Sequence, residues 1–216
     1  MLVRSSLTHR LIITFIHFFL LLSGKWAEIL KLENATGKLY VRGYDKQGRA
    51  LVYITPSKEN TYQQDGNLKH LVFNLEKSVA CMNTRSDQSS KVVLLIDFID
   101  FTLFNAPSMS TSLETLSILQ NHYPERLHKA YIIRPPYLFN TFWSMIHPFV
   151  DPITSEKVVF LSSDNTEIVE ALKKDIDLSI LESRFGGHDT RPFDSNLYLS
   201  APFSLDFSSY IKKLIN

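Results

Sequence analysis

The chain has 216 residues, 44% of them apolar, with a formal net charge of +1. That composition excludes a disordered chain and lacks the basic excess that marks a nucleic-acid partner. Its single cysteine, Cys81, excludes an internal disulfide and suits a reducing compartment.

From Leu11 to Leu22 the chain is apolar except for Thr14 and His17, and Arg4, His9 and Arg10 precede it. This imitates the charged and apolar regions of a signal peptide, but Ser23-Gly24-Lys25-Trp26 is a poor cleavage site. As a helix the run reaches only about 18 Å, against about 30 Å of bilayer hydrocarbon. A membrane anchor, a signal and a non-native start all stay open for residues 1–25.

Trp26 to Asn34 has the form of a helix end, with Gly37 as its stop signal. Lys38–Arg42 and Ala50–Ile54 then predict two strands around a glycine-bounded turn, Gly43-Tyr44-Asp45-Lys46-Gln47-Gly48. Its Gly-x4-Gly spacing is no phosphate loop, because Arg49 and a strand follow where Lys-Ser/Thr and a helix are needed. Between Asp65 and Met82, the residues Leu68, Leu71, Val72, Leu75, Val79 and Met82 share one helical face. Lys69, Asn74, Glu76 and Lys77 fall mostly opposite. Cys81 lies in this helical pattern without a partner motif and reads as a small core or boundary residue. Asn83–Lys91 is a polar loop, and Val92–Ile96 is an apolar β-branched run of the kind that forms a central strand buried on both faces.

Asp97 and Asp100 follow that strand. Carboxylates at the carboxyl end of a central strand suit metal or phosphate chemistry, so a phosphate-handling or hydrolase-like α/β enzyme is one reading. The other is that Asp97 caps a turn. No phosphate loop or nucleophile–base pair accompanies the two. Pro107 and Thr111-x-x-Glu114 predict the start of a helix, which Pro124 ends near Tyr123. His122, Glu125 and His128 are not aligned by any regular helix, and no metal site is expected.

The stretch from Tyr123 to Leu161 organises the rest. It holds two strand-length apolar runs, Ala130–Ile133 and Val158–Leu161. Between them Phe139, Phe142, Trp143 and Ile146 fall on one helical face, with Pro135, Pro136, Pro148 and Pro152 at its ends. Further on, Asp164-x-x-Glu167 predicts a capped helix through Leu172. Ile176–Leu181 and Phe185-Gly186-Gly187 close the domain, and residues 188–216 form an aromatic and serine-rich extension. Strands alternating with helices give an α/β fold with a largely parallel sheet.

Tyr123-Pro124-Glu125-Arg126-Leu127, Pro136, Phe139, Trp143, Pro148-Phe149, Asp151-Pro152, Thr154 and Lys157 stand in one order. Gly43–Arg49 and Asp97 precede them, and Phe185-Gly186-Gly187 follows. In this the chain resembles the CRAL-TRIO lipid-binding family, and within it the phosphatidylinositol transfer proteins of the secretory pathway. The resemblance covers Lys38 to Gly187, with the apolar start standing where such proteins usually carry a helical module. A CRAL-TRIO domain over 26–187 is therefore expected.

The resemblance implies helices on one sheet face and an apolar cavity on the other, closed by an aromatic lid. It also implies a non-enzymatic role in binding phospholipid, in particular phosphatidylinositol, and transferring it between membranes, with a lipid-sensing adaptor that does not transfer as the alternative. Lys157 and Thr154 would hold the phosphate, Glu125 the inositol hydroxyls, and Thr102 a further head-group contact. Phe104 stands where a second hydroxyl is expected, and its ring is expected to fill head-group space.

Phe139, Phe142, Trp143, Ile146 and Phe149 would form the lid and touch membrane, although a helix facing the core would also account for them. A surface ion pair is the plainer reading of Glu125 and Lys157. No cofactor is expected beyond the bound phospholipid. The expected partner is a transient membrane surface, with no nucleic acid, and the chain is expected to be a cytoplasmic monomer associating peripherally with membranes.

Overall fold

The computed structural model describes residues 24–83, 90–102, 104 and 106–215. The apolar start therefore lies outside the described residues, as does most of the expected Asn83–Lys91 loop. Helix α1 (Gly24–Asn34) leads into strands β1 (Leu39–Tyr44) and β2 (Ala50–Ile54), followed by helix α2 (Gln64–Asn83) and strand β3 (Val92–Asp97). Next come α3 (Met109–His122), β4 (Leu127–Ile133), α4 (Phe139–Ile146), α5 (Pro152–Ser155), β5 (Val158–Leu161) and α6 (Asn165–Asp175). Two last helices follow, α7 (Ser195–Ser200) and α8 (Phe207–Ile215).

The strands form one sheet in the order β1-β2-β3-β4-β5. Only the β1–β2 hairpin is antiparallel; β2–β3, β3–β4 and β4–β5 run parallel. Each parallel step needs a crossover, which α2, α3 and the α4–α5 segment supply in turn. The apolar runs fall where their composition predicts, and Val92–Leu95 is buried throughout.

Strand alternation divides the core into two layers. On one face Tyr40, Leu51, Tyr53, Val93, Leu95, Tyr131 and Ile133 pack against Ile168 and Leu172 of α6, together with Phe185, Tyr198 and Phe207. On the other, Leu39, Val41, Val52, Leu94 and Ala130 meet Leu71, Val79 and Met82 of α2. This second face also floors the cavities described below. Behind the first face, Gly186 takes a left-handed φ of 80°, and a Cβ on Gly187 would lie 2.0 Å from the Leu181 carbonyl oxygen. The double glycine is thus a backbone requirement.

Two local expectations need correction. Asn74 and Lys77, expected on the solvent side of α2, are buried. The C-terminal segment covers that side: Tyr198 donates to Asn74 Oδ1 at 2.6 Å, and Lys77 Nζ donates to the carbonyls of Pro202 and Phe203. The N-cap of α3 is Ser108, whose side chain accepts from Thr111 N–H, so Thr111 sits inside the first turn. Asp164 does cap α6, accepting from Thr166 N–H. Cys81 is buried, and burial lifts its thiol to about 12.

Candidate functional site

A tight turn opens the site. Arg126 N–H donates to the Tyr123 carbonyl at 3.3 Å, Pro124 occupies the second position, and Glu125 the third with φ 58°. Proline followed by a left-handed residue is the type II pattern, whose third position ordinarily takes glycine or asparagine. The turn is held on both sides. Tyr123 donates from its hydroxyl to Glu76 Oε1 on α2 at 2.6 Å. Arg126 donates to the Ser90 carbonyl at 2.9 Å, and its own carbonyl accepts from Val92 N–H at 2.7 Å.

The opposite wall is built on α5. Asp151 caps that helix, accepting from the N–H groups of Ile153 and Thr154. Its carboxyl lies below the usual carboxylate range, first through the Thr154 hydroxyl, then through those N–H groups and the Lys157 charge. Lys157 is fixed at the mouth of β5, where its carbonyl accepts from Ala130 N–H at 3.0 Å.

Glu125, Thr154 and Lys157 line a single cavity of about 690 Å³. Leu75, Val92, Leu94, Leu116 and Leu119 supply its apolar wall. Among the ion pairs of the described residues none joins Glu125 to Lys157, so the surface-pair reading fails; Glu125 is exposed and Lys157 half-buried where they line the cavity.

A second cavity of about 300 Å³ lies along the same sheet face, with Leu39 and Ile54 beneath and Phe98, Phe101, Phe139 and Phe142 over it. One end is polar. There Lys38 donates to Glu59 Oε1, Asn67 Oδ1 and Glu33, so its three protons are spent within the protein. Burial would raise the Glu59 carboxyl, but hydrogen bonds from Lys38 and the Thr61 backbone outweigh it and hold the group at about 2. His70 also lines this end, accepting no solvent: it is 1% exposed and bonded to Asn34 Oδ1.

The aromatic helix faces inward. Phe139 is 7% and Ile146 8% exposed. The Phe139 ring lies 5.0 Å from Phe98 and 5.9 Å from Phe160, and Trp143 lies 5.6 Å from Phe160. Phe142 and Trp143 are half-buried. Of the five residues expected at a membrane, only Phe149 is broadly exposed, at 59%. Phe139 and Phe142 of the apolar stripe line the smaller cavity, because a short amphipathic helix buries its one apolar face. The exposed apolar groups beside Phe149 are Leu138, Met145 and Ile153, which the periodicity did not single out.

Thr102 is exposed and lines neither cavity. Phe104 is 91% exposed and does not fill head-group space. After β3 the chain turns, with Phe101 N–H donating to the Phe98 carbonyl at 3.1 Å, and this sends Phe98 and Phe101 inward instead.

Asp97 is fully buried and accepts from Ile99 N–H, as a turn cap does. It also pairs with Arg134 at 3.1 Å and Arg184 at 3.4 Å. Burial raises its pKa, and the two guanidinium groups oppose that rise. Arg184 continues to Glu182, which pairs with Arg42. These arginines tie the strand ends to the 182–191 segment. Asp100 is exposed, with φ 53°. No group of three or more potential metal ligands occurs among the described residues.

The profile of the CRAL/TRIO domain matches residues 34–187. A CRAL-TRIO domain-containing protein of Schizosaccharomyces pombe is 39% identical over 155 residues, covering 72% of this chain and 14% of that protein. Phosphatidylinositol transfer protein PDR17 of Saccharomyces cerevisiae is 32% identical, covering 62% and 39%. SEC14 cytosolic factor of Candida glabrata is 30% identical, covering 74% and 57%. The chain thus spans between about a seventh and three fifths of these relatives' lengths. Among solved structures Sfh5 superposes with a TM-score of 0.54 at 18% identity, covering 76% of this chain and 64% of that one.

Proposed function

Because the chain belongs to the CRAL/TRIO domain family, we propose that it binds one phospholipid, phosphatidylinositol, and carries it between membranes without chemical turnover. The observation that carries this reading is the shared cavity: a cation, a hydroxyl and a carboxylate converge on an apolar chamber of about 690 Å³. Two relatives are named as a phosphatidylinositol transfer protein and as a SEC14 cytosolic factor.

Each part answers a physical need. Acyl chains favour a dry chamber, at about 0.8 kcal/mol per buried methylene. A phosphodiester leaving water needs a cation and donors; Lys157 is the compact cation. The Thr154 hydroxyl turns from Asp151 to the phosphate when lipid enters. Glu125, acceptor-only when ionised, takes the inositol hydroxyls.

The lid is the α4–α5 segment. Leu138, Met145, Phe149 and Ile153 touch the bilayer first, since exposed apolar groups mark such contacts; the inward stripe follows once the lid opens. No described helix is long and apolar enough to cross a membrane, and peripheral association from the cytosol fits this reading.

Mass spectrometry of lipid extracted from the purified protein tests it. About one phosphatidylinositol per chain is the expected result. Lipid-free protein with metal-dependent hydrolysis abolished by Asp97→Asn would replace this reading with the enzymatic one.

A further inference from the structure

We propose that Tyr123 and Glu76 are positioning residues for head-group selection, because their hydrogen bond fixes the strained turn that presents Glu125. This rests on the reading of Glu125 as the inositol ligand.

The backbone of Glu125 is left-handed, a conformation that L-residues with a side chain avoid. Such a residue keeps its conformation only where its surroundings over-determine it. Here the restraints on the far side of the turn are one backbone bond, from Val92 N–H of β3 to the Arg126 carbonyl, and the Arg126 guanidinium donating to the Ser90 carbonyl. On the near side the turn follows the end of α3, where Pro124 stops the helix. Two bonds hold it there: Tyr123 N–H donates back to the Leu119 carbonyl at 3.1 Å, and the Tyr123 hydroxyl donates across to a carboxylate one helix away at 2.6 Å.

Glu76 is half-buried, and a hydrogen bond to an ionised acceptor is stronger than a neutral one. Burial first, and then the Glu76 charge, push the Tyr123 phenol's pKa upward, so it remains a donor. Tyr123 lines the same cavity as Glu125, and its hydroxyl is committed to Glu76. The pair therefore fixes the turn from which Glu125, an exposed residue, lines the cavity rim.

Loading from vesicles of phosphatidylinositol and of phosphatidylcholine with identical acyl chains, using the full chain, tests this. Tyr123→Phe and Glu76→Met are made alone and on a Glu125→Gln background. Each is expected to lower the ratio of phosphatidylinositol to phosphatidylcholine loading about three- to tenfold, the span of one hydrogen bond. Neither should lower it further once Glu125→Gln is present.

An equal loss on both backgrounds would show a merely structural role and overturn the proposal. So would an unchanged preference in either single variant. If Glu125→Gln alone leaves the preference intact, the reading of Glu125 falls and this inference with it. Should Tyr123→Phe fail to fold, Glu76→Met, which keeps the ring and removes the acceptor, carries the same comparison.

Discussion

Replacing Glu125 by glycine and by alanine separates what the position does for the fold from what it does for the ligand. Both variants lose the carboxylate. Only glycine relaxes the left-handed backbone at φ 58°, which costs a residue with a Cβ about 1–2 kcal/mol. Glycine gives back about 0.5–1 kcal/mol through the greater freedom of its unfolded chain. The glycine variant should therefore be more stable than the alanine variant by roughly 0.5–1 kcal/mol. In a domain of this size that is about 1–4 °C in melting midpoint.

Differential scanning calorimetry reads the midpoint, and competitive loading of phosphatidylinositol against phosphatidylcholine reads the site. Both variants should lose head-group preference to the same degree while their midpoints diverge. A glycine variant that melts at or below the alanine variant would show that the turn stores no strain. A glycine variant that keeps the preference would remove Glu125 from the site.

Other outcomes follow from the same geometry. Lys157→Ala should lower phosphatidylinositol loading with a midpoint shift of no more than a few degrees, since Lys157 has no ion pair with Glu125 to break; a calorimetric loss near the 3–5 kcal/mol of a broken buried pair would contradict this. Phe207→Ala, at a 1% exposed core position, should cost about 3–5 kcal/mol in denaturant unfolding. Ile153→Asp should weaken vesicle sedimentation and leave the midpoint unchanged, because the side chain is exposed. His70 is held at about 3 by burial, with Lys38 adding to the shift, so the folded protein keeps it neutral while the unfolded chain protonates near pH 6.5. Its contribution is complete above that pH and is lost as pH falls towards 3, by about 2 kcal/mol between pH 7 and pH 5. His70→Gln should flatten that part of the pH–stability curve measured by urea titration.

The strands were legible because each is an apolar run bounded by turn residues, and Ala50–Ile54 and Val158–Leu161 form at the predicted limits. The α4 helix was equally plain from its stripe. Which side of that stripe meets protein was not, since periodicity shows that an apolar face exists and not what covers it. Asn74 and Lys77 failed for a related reason: the groups that bury them, at Tyr198, Pro202 and Phe203, lie more than a hundred residues away in sequence.

Glu125, Thr154 and Lys157 were singled out through motif order alone, and they line one cavity. The strain at Glu125 was not, because nothing in Pro-Glu-Arg announces a left-handed residue. Arg134 and Arg184 were missed as partners of Asp97, and the only hint was a carboxylate set among phenylalanines. Thr102 and Phe104 were placed by resemblance alone, and the turn at Phe98–Phe101 sends Phe98 and Phe101 to the cavity instead.

The closing of β1 by the C-terminal segment sets an order of events during synthesis. Val41 N–H donates to the Tyr198 hydroxyl, and Gly43 N–H to Asp206 Oδ1, partners 157 and 163 positions downstream. At about 5–20 residues per second a ribosome needs on the order of ten to thirty seconds between them. For that interval the hairpin stands with two donors and an apolar face uncovered, open to chaperones or to another nascent chain. The segment beyond the family's matched boundary is thus the piece that ends the period of greatest aggregation risk.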